Sequence, residues 1–375
     1  MMTPHADECN GESSPAKATD HHNVKTHACD RPWLASSSNP HPPVPVNLKL
    51  ETRNWKLFSD VPLQEKQLIA GIRRKAGRLS LRAGVGIGDD CAVLRVPAGH
   101  ELLVTTDFSL EGVHFRREWH PPDAVGHRCL ARGLSDIAAM GGTPRAAFLS
   151  LALPQTLPQS WVDQFVFGFL KLARRYSVPL AGGDTAQSPD GILADIIVLG
   201  SVPAGEAILR SGARLGDRIY VTGTLGEALA DLQLLQEGKK LRPQSHRKHF
   251  YPEPRLAIGQ FLRERKLASA MIDISDGLST DLSHICEESG VGALIHADSL
   301  PSAISGKNGL QLALHGGDEY ELLFTARPHT RIPKRIAGVP IAQIGEIARG
   351  KQMKLILASG RSEPLLARGW EHFSK

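Results

Sequence analysis

The chain has 375 residues, 41% of them hydrophobic and 22% charged, which is the composition of a soluble globular protein with room for two domains. Its 44 basic and 39 acidic residues interleave to a net charge of +5, with no basic block threaded by aromatics, so nucleic acid is not indicated; the mild positive excess suits an anionic small substrate. No apolar run approaches a membrane span, and five scattered cysteines without a C-x-x-C pair argue against a zinc knuckle or a disulfide framework, so the expected location is a reducing cytoplasm.

Residues 1–48 are rich in Ser, Asn, Pro and His and end in "NPHPPVPV", which reads as a solvated tail running into a stiff linker. A helix is expected over 64–75, where Leu68, Ile69 and Ile72 fall at helical spacing. Strands are expected over 101–105, 146–153 and 192–202. Between them lie two helices. The first follows Pro121-Pro122 and puts Leu130, Leu134 and Ile137 on one face. The second opens at Ser160, with Asp163 completing a capping box, and carries the stripe Trp161, Phe165, Phe169, Leu172. The turn-rich stretch "PAGEAILRSGARLG" marks a domain boundary near residues 203–216. Beyond it, strands are expected over 218–221, 270–274, 293–295, 321–325, 341–347 and 353–357, and helices over 227–236, 255–265 and 278–288. Strands and helices mix in both halves, which gives two α/β or α+β domains over 55–205 and 206–375.

The chemistry lies in a recurring local pattern. It reads Gly88-Asp89-Asp90, Thr105-Thr106-Asp107, Ser135-Asp136, Gly182-Gly183-Asp184-Thr185, Asp273-Ile274-Ser275-Asp276-Gly277 and Gly316-Gly317-Asp318-Glu319. Each acid ends an apolar segment beside small residues. Glycine permits close backbone approach, hydroxyls add oxygen ligands, and strand ends are where α/β folds place sites. Hard divalent cations require such oxygen donors, and Mg²⁺ binds through a few carboxylates together with substrate phosphates. Taken singly, each acid is more simply a turn or cap residue, and Asp276 before "GLSTDL" reads as a helix N-cap. Asp136 is different, because it lies inside a helical pattern and off its apolar stripe.

Competing motifs fail. There is no G-x-x-x-x-G-K-[ST], no G-x-G-x-x-G in "GVGIG", no H-E-x-x-H and no G-x-S-x-G. Three further residues each allow two readings. His114 in "EGVHF" is a buried core histidine or a ligand contact. Arg210 is a surface arginine or one that reaches a nucleotide phosphate. Trp370 in "RGWEHF" anchors the C-terminus or stacks on a planar cationic ring.

In order, the segments "GIGDDCAVL", "LVTTDFSLEGVHF", "LSDIAAMGGTPRAAFLSLALP", "LAGGDTAQSP", "AILRSGARLGDRIYVTG", "MIDISDGLSTDL", "HGGDEYELLFT" and "GWEHF" resemble the thiamine-monophosphate kinase family. The resemblance runs from about residue 60 to the C-terminus. It implies the two-domain fold of aminoimidazole ribonucleotide synthetases, a homodimer in which N-terminal domains pair their sheets, and transfer of the ATP γ-phosphoryl group to thiamine monophosphate. On the matching positions it implies that Asp89, Thr105, Thr106, Asp107, Asp136, Asp184, Asp273 and Asp276 hold several Mg²⁺ ions. It further implies that Gly183, Asp184, Arg210 and Ser275 meet ATP, and that His114, Asp318 and Trp370 hold the thiamine end. Two positions depart from the family pattern: Asp318-Glu319 stands where Glu-Asp is usual, and Gly133 stands where asparagine is frequent. Two alternatives are a different ATP-using enzyme of the same fold and a non-catalytic Mg²⁺- or nucleotide-binding module. A selenophosphate synthetase is expected to carry a reactive Cys in a glycine-rich N-terminal segment, which "HACDR" is not, and a hydrogenase-maturation protein to end in Cys, where this sequence reads "HFSK".

Overall fold

A computed structural model of the chain describes residues 65–77, 86–87 and 91–373. The tail assigned to residues 1–48 and the pair Asp89-Asp90 lie outside the described residues. The first helix, α1 (Glu65–Ala76), leads to a four-stranded sheet built from β1 (His100–Leu110), β2 (Thr143–Pro154), β3 (Leu180–Ser188) and β4 (Leu193–Pro203) in the order β1-β4-β2-β3. Only β2 and β3 run parallel, and a parallel pair requires a crossover. Helix α3 (Gln159–Arg175) is that crossover, and α2 (Pro122–Ala139) packs beside it.

Helix α2 is the centre of the molecule. Leu130, Leu134 and Ile137 are fully buried, as their spacing predicts. Its backbone is approached from three sides, each through a glycine. A Cβ on Gly126 would lie 2.0 Å from Phe165 O, one on Gly168 1.9 Å from Asp123 O, and one on Gly259 2.0 Å from Ala138 O. Gly133 faces β4, where a Cβ would lie 2.6 Å from Val198 Cγ2. The departure at residue 133 therefore lets the helix sit down on the sheet, with no room for a larger side chain.

The second half builds a larger mixed sheet from β5 (Arg218–Thr222), β6 (Ala270–Asp273), β7 (Gly292–His296), β8 (Leu322–Ala326), β9 (Arg335–Ile336), β10 (Val339–Ala348), β11 (Met353–Ile356) and β12 (Ser362–Pro364). Its order is β12-β11-β7-β10-β5-β8-β6, with β9 on β10. The helices of this half are α4 (Glu227–Gln236), α5 (Arg247–Phe250), α6 (Leu256–Glu264), α7 (Leu278–Ser289) and α8 (Gly306–His315). One apolar core joins α2, α3 and the first sheet to α6, Met271 of β6 and Phe324 of β8. A second lies where Leu278, Leu282 and Ile285 of α7 pack on Ile219, Ile272, Ile295 and Leu323. Among the described residues no helix is long and apolar enough to cross a membrane.

Two capping assignments are corrected. Helix α3 starts at Gln159 with Pro158 in the N-cap position and no side-chain cap. The Asp163 carboxylate is instead drawn to Gln159 Nε2 at 2.8 Å and to the Lys75 ammonium of α1, so no capping box forms. Helix α7 is not capped by Asp276. Gly277 is its N-cap, and Asp281 reaches back from the first turn to accept from the Gly277 N–H (3.0 Å) and the Asp276 N–H (3.2 Å). Strand β1 is six residues longer than predicted, because His100 and residues 106–110 also pair one by one with β4. Strand β3, helix α8 and the short α5 were not predicted; the two glycines that open "GGDT" obscure a strand whose pairing partner is β2.

Candidate active site

Strand β1, helix α2 and the end of β6 bring three of the acid clusters to one place. Thr105 and Asp107 alternate onto the α2 side of the sheet. The Thr105 hydroxyl donates to Asp136 Oδ2, and one residue earlier on α2 Ser135 Oγ donates to Asp273 Oδ2 at 2.6 Å. Asp136 is half-buried and Asp273 is buried. Burial, and then the neighbouring Asp273, push the Asp136 carboxyl up to about 8. Burial pushes Asp273 up to about 6, with Asp107 adding to the rise. Asp107 and Asp276 are raised by burial as well. This is a set of carboxylates short of positive charge. Arg210 is exposed, yet its charge acts favourably on both Asp136 and Asp273, because the adjacent Leu209 O accepts from Met271 N–H of β6 at 2.9 Å.

The acids open into a cavity of about 600 Å³, lined among others by Thr106, Asp107, Asp136, Asp273, Ser275 and Asp276. The same cavity is lined by His114, Trp370 and His372. His114 accepts at Nδ1 from the Leu110 N–H (3.0 Å), so its proton sits on Nε2, and burial followed by the Arg132 charge lowers it to about 4. It is neutral at neutral pH. His372 stands 5.5 Å from the His114 ring and edge-on to Trp370 at 5.7 Å. Trp370 is 52% exposed, so its indole is presented at the mouth and not packed as an anchor. The segment carrying it is hydrogen-bonded to the start of α7: Trp370 N–H donates to Asp276 O (2.9 Å) and Gly369 N–H to Thr280 Oγ1 (3.0 Å). A Cβ on Gly369 would lie 2.0 Å from Asp276 O, so glycine is what allows that approach.

The "GGDEY" turn lines the same cavity through Gly317, Asp318 and Tyr320. Asp318 and Tyr320 both have positive φ, +60° and +51°. Hydrogen bonds from Asp318 N–H to Ser275 O (2.7 Å) and from Tyr320 N–H to Ile274 O (2.8 Å) hold them there. Strain of this kind gathers at functional sites. The turn sends its acids in opposite directions. Asp318 lines the cavity, while Glu319 is buried behind it and accepts from Gly226 N–H (2.7 Å) and Ala228 N–H (3.2 Å) at the start of α4. Of the two, Asp318 is the one a ligand can reach.

Not every predicted site residue joins this cavity. Asp184 pairs with Ser150, Ser150 with Asp195 and Asp195 with Phe108, so these four form one row across the sheet. That row lies on the face away from α2. The Thr106 hydroxyl points there too and donates to Asp195 Oδ1 at 2.9 Å, although Thr106 also contributes to the cavity wall. Gly183 lies at φ +150°, with a Cβ position 1.8 Å from Leu149 O, and serves the close pairing of β2 and β3. Other cavity residues went unnoticed in the sequence: Arg132, His249, His315, Tyr320, Arg368 and His372. For Arg132 a signal existed, since Arg128, Arg132 and Asp136 recur every four residues and share one face of α2. Asp281 and His284 also offer ligand atoms within 4.8 Å of Asp276.

Residues 88–202 match the AIR synthase related protein N-terminal domain, and residues 214–358 match its C-terminal domain. The thiamine-monophosphate kinase of Salmonella typhimurium is 36% identical over 317 residues, covering 80% of this chain and 95% of that protein. The crystal structure of the Stenotrophomonas maltophilia thiamine-monophosphate kinase aligns with a TM-score of 0.66 at 37% identity, over 74% of this chain and 94% of that one. AaThiL complexed with AMPPCP and TMP aligns with a TM-score of 0.67 at 33% identity, over 83% of this chain and 99% of that one. The two-domain AIR synthase-related fold is thereby shown, and the chain belongs to the thiamine-monophosphate kinase family.

Proposed function

We propose that this protein transfers the γ-phosphoryl group of ATP to thiamine monophosphate, giving thiamine diphosphate and ADP. The observation that carries this reading is a single cavity lined both by carboxylates and by the rings of His114, Trp370 and His372. The carboxylates suit polyphosphate with its cations, the rings a planar cationic ring. The complex of AaThiL with AMPPCP and TMP supports the same pair of ligands.

The acceptor needs no general base, because a phosphate monoester has its second pKa near about 6 and is largely ionised at neutral pH. The barrier is electrostatic, since an anion must approach ATP in line. The donor set fits Mg²⁺: it is all oxygen, and burial first, then neighbouring carboxylates, holds its acids above their ordinary pKa. Asp107, Asp136, Asp273 and Asp276 would hold the ions in the cavity, and Asp89, Thr105, Thr106 and Asp184 complete the set that the family resemblance implies. Bound there, Mg²⁺ supplies charge neutralisation across donor and acceptor oxygens. Ser135 and Thr105 orient Asp273 and Asp136 through their hydroxyls. Arg210, Ser275, Gly183 and Asp184 are assigned to ATP. His114, Asp318 and Trp370 are assigned to the thiamine end, and a neutral His114 adds no charge beside the thiazolium. In this reading residues 55–205 are the ATP- and Mg²⁺-binding and dimerising domain, and the second domain, 206–375, adds Arg210, Asp273, Ser275 and Asp276 to the same site. A homodimer through β1 is supported by its 11-residue length, its edge that is unpaired among the described residues, and exposed Leu102, Val104 and Phe108. The location that goes with ATP as phosphoryl donor is the cytoplasm.

The test is purified protein with ATP, Mg²⁺ and thiamine monophosphate, followed for thiamine diphosphate, with free thiamine as the control acceptor. Phosphorylation of thiamine but not of its monophosphate would overturn the substrate assignment, and ATP binding without turnover would favour the non-catalytic module. The metal assignment has its own signature. With Asp136 raised to about 8, the metal-free Asp136–Asp273 pair retains a proton at pH 7 that Mg²⁺ must displace. Calorimetric titration in buffers of different ionisation enthalpy should show roughly one proton released at pH 7 and far fewer at pH 9. Proton-neutral binding at pH 7 would exclude this pair as the ligands.

A further inference from the structure

We propose that Arg132 binds the phosphate of the acceptor, with its fork held by Tyr320 and the Phe108 carbonyl. The proposal rests on the functional reading above and assigns a residue within it.

At the turn, two guanidinium groups face one carboxylate, that of Asp318. Arg128 is nearly buried and fully engaged: it donates from Nη2 to Asp318 Oδ2 at 2.7 Å and from Nη1 to His249 O. The second Asp318 oxygen accepts from the Tyr320 hydroxyl at 2.6 Å. Asp318 is thus already occupied by partners within the chain. Burial works against its charge, but Arg128 and Arg132 outweigh that and hold it well below the usual carboxylate range. Arg132 is placed differently. Its Nε donates to Tyr320 OH (3.0 Å) and its Nη1 to Phe108 O (2.5 Å), which fix the plane of the fork. Its Nη2 stands 3.8 Å from Asp318 Oδ1, an ion-pair distance beyond hydrogen-bond reach.

This group therefore has one positive charge in excess, on a pre-oriented fork that lines the cavity. Arg132 donates to the carbonyl of Phe108, next to Asp107, and lines a small second cavity together with His114, so it stands beside both. Thiamine monophosphate is cationic at its ring and anionic at its phosphate, and of the two the phosphate is the partner for this fork. A guanidinium there repels the thiazolium and matches phosphate geometry.

The experiment deletes the interaction from both sides. Wild-type protein is first shown to form thiamine diphosphate; if it does not, the functional reading fails irrespective of Arg132. Binding of thiamine monophosphate and of thiamine is then measured to wild type, Arg132→Gln and Arg132→Lys. Arg132→Gln is expected to weaken thiamine monophosphate by about 10- to 100-fold, the range for a charge-assisted hydrogen bond. Thiamine should change less than about twofold, and Arg132→Lys should fall between the two on thiamine monophosphate. Equal weakening of both ligands would make Arg132 a support for the turn, and no weakening of either would remove it from the site. If the glutamine variant does not fold, the ratio of the two affinities in the lysine variant decides: a ratio equal to that of wild type overturns the proposal.

Discussion

Asp136→Asn is expected to lower kcat by about 10³-fold at saturating Mg²⁺ while leaving the protein at least as heat-stable as wild type. The two halves of this result have one cause. Asp136 sits half-buried beside Asp273, so the metal-free fold disfavours its charge. Its carboxyl is raised from 3.8 in the reference state to about 8 in the fold. A raised acid contributes stability that is fully present below the unfolded pKa and lost as pH rises through the folded one. Wild type in EDTA should therefore lose stability between about pH 4 and pH 8 on this account. The asparagine variant removes that loss, so its Tm advantage should grow over the same interval. Asn keeps a carbonyl oxygen for the Thr105 hydroxyl, so the packing of α2 on β1 is retained. Steady-state kinetics and melts in EDTA from pH 5 to 9 read both halves. A kcat within tenfold of wild type, or a Tm several degrees lower at pH 8, would show that Asp136 is a structural residue.

The elements that gather the acids were legible because their signals are local. Helix α4 (Glu227–Gln236) follows its predicted range residue for residue, and the stripe of α2 buries as its spacing requires. The clusters around Asp107, Asp136, Asp273 and Asp318 line one cavity because small residues let strand ends and turns approach each other. What was not legible depends on pairing. The same pattern occurs at Asp184, but strand parity puts it on the opposite face from Asp107, and parity follows from register with Ser150 and Asp195. The capping misassignments have the same origin. Asp163 is claimed by Lys75, 88 residues away, and α7 is served by Asp281 from inside its own first turn. Arg128 and Arg132 were passed over because α2 was read by its apolar stripe, and its charged face has meaning only opposite Asp318, 190 residues from Arg128.

Behind the cavity the same motif carries a second acid pair that sequence patterning would leave on the surface, and it predicts the largest loss of stability. The Glu321 side chain has no exposure to solvent. It accepts from Arg255 through Nε at 2.7 Å and Nη2 at 2.5 Å, accepts from Thr222 Oγ1 at 2.5 Å, and stands 3.3 Å from Lys248 Nζ. Gly223 makes room for it, since a Cβ there would lie 2.1 Å from Glu321 Oε1. Its neighbour Glu319, pushed up to about 7 chiefly by burial, shares Lys248 at 3.4 Å. Removing one partner of a buried pair leaves the other's charge uncompensated, which costs about 3–5 kcal/mol. Glu321→Ala should therefore lower Tm by roughly 6–15 °C. Arg255→Met alone should be destabilising for the mirror-image reason, and the double variant should be less destabilised than the sum of the two, because it removes both charges together. The Glu321 backbone carries the effect to the site, since its carbonyl accepts from Ile274 N–H at 2.7 Å and so ties β8 to the loop bearing Ser275 and Asp276. Chemical denaturation of the three variants measures the coupling. Strict additivity, or a Glu321→Ala loss below about 1 kcal/mol, would place this network among ion pairs that contribute little.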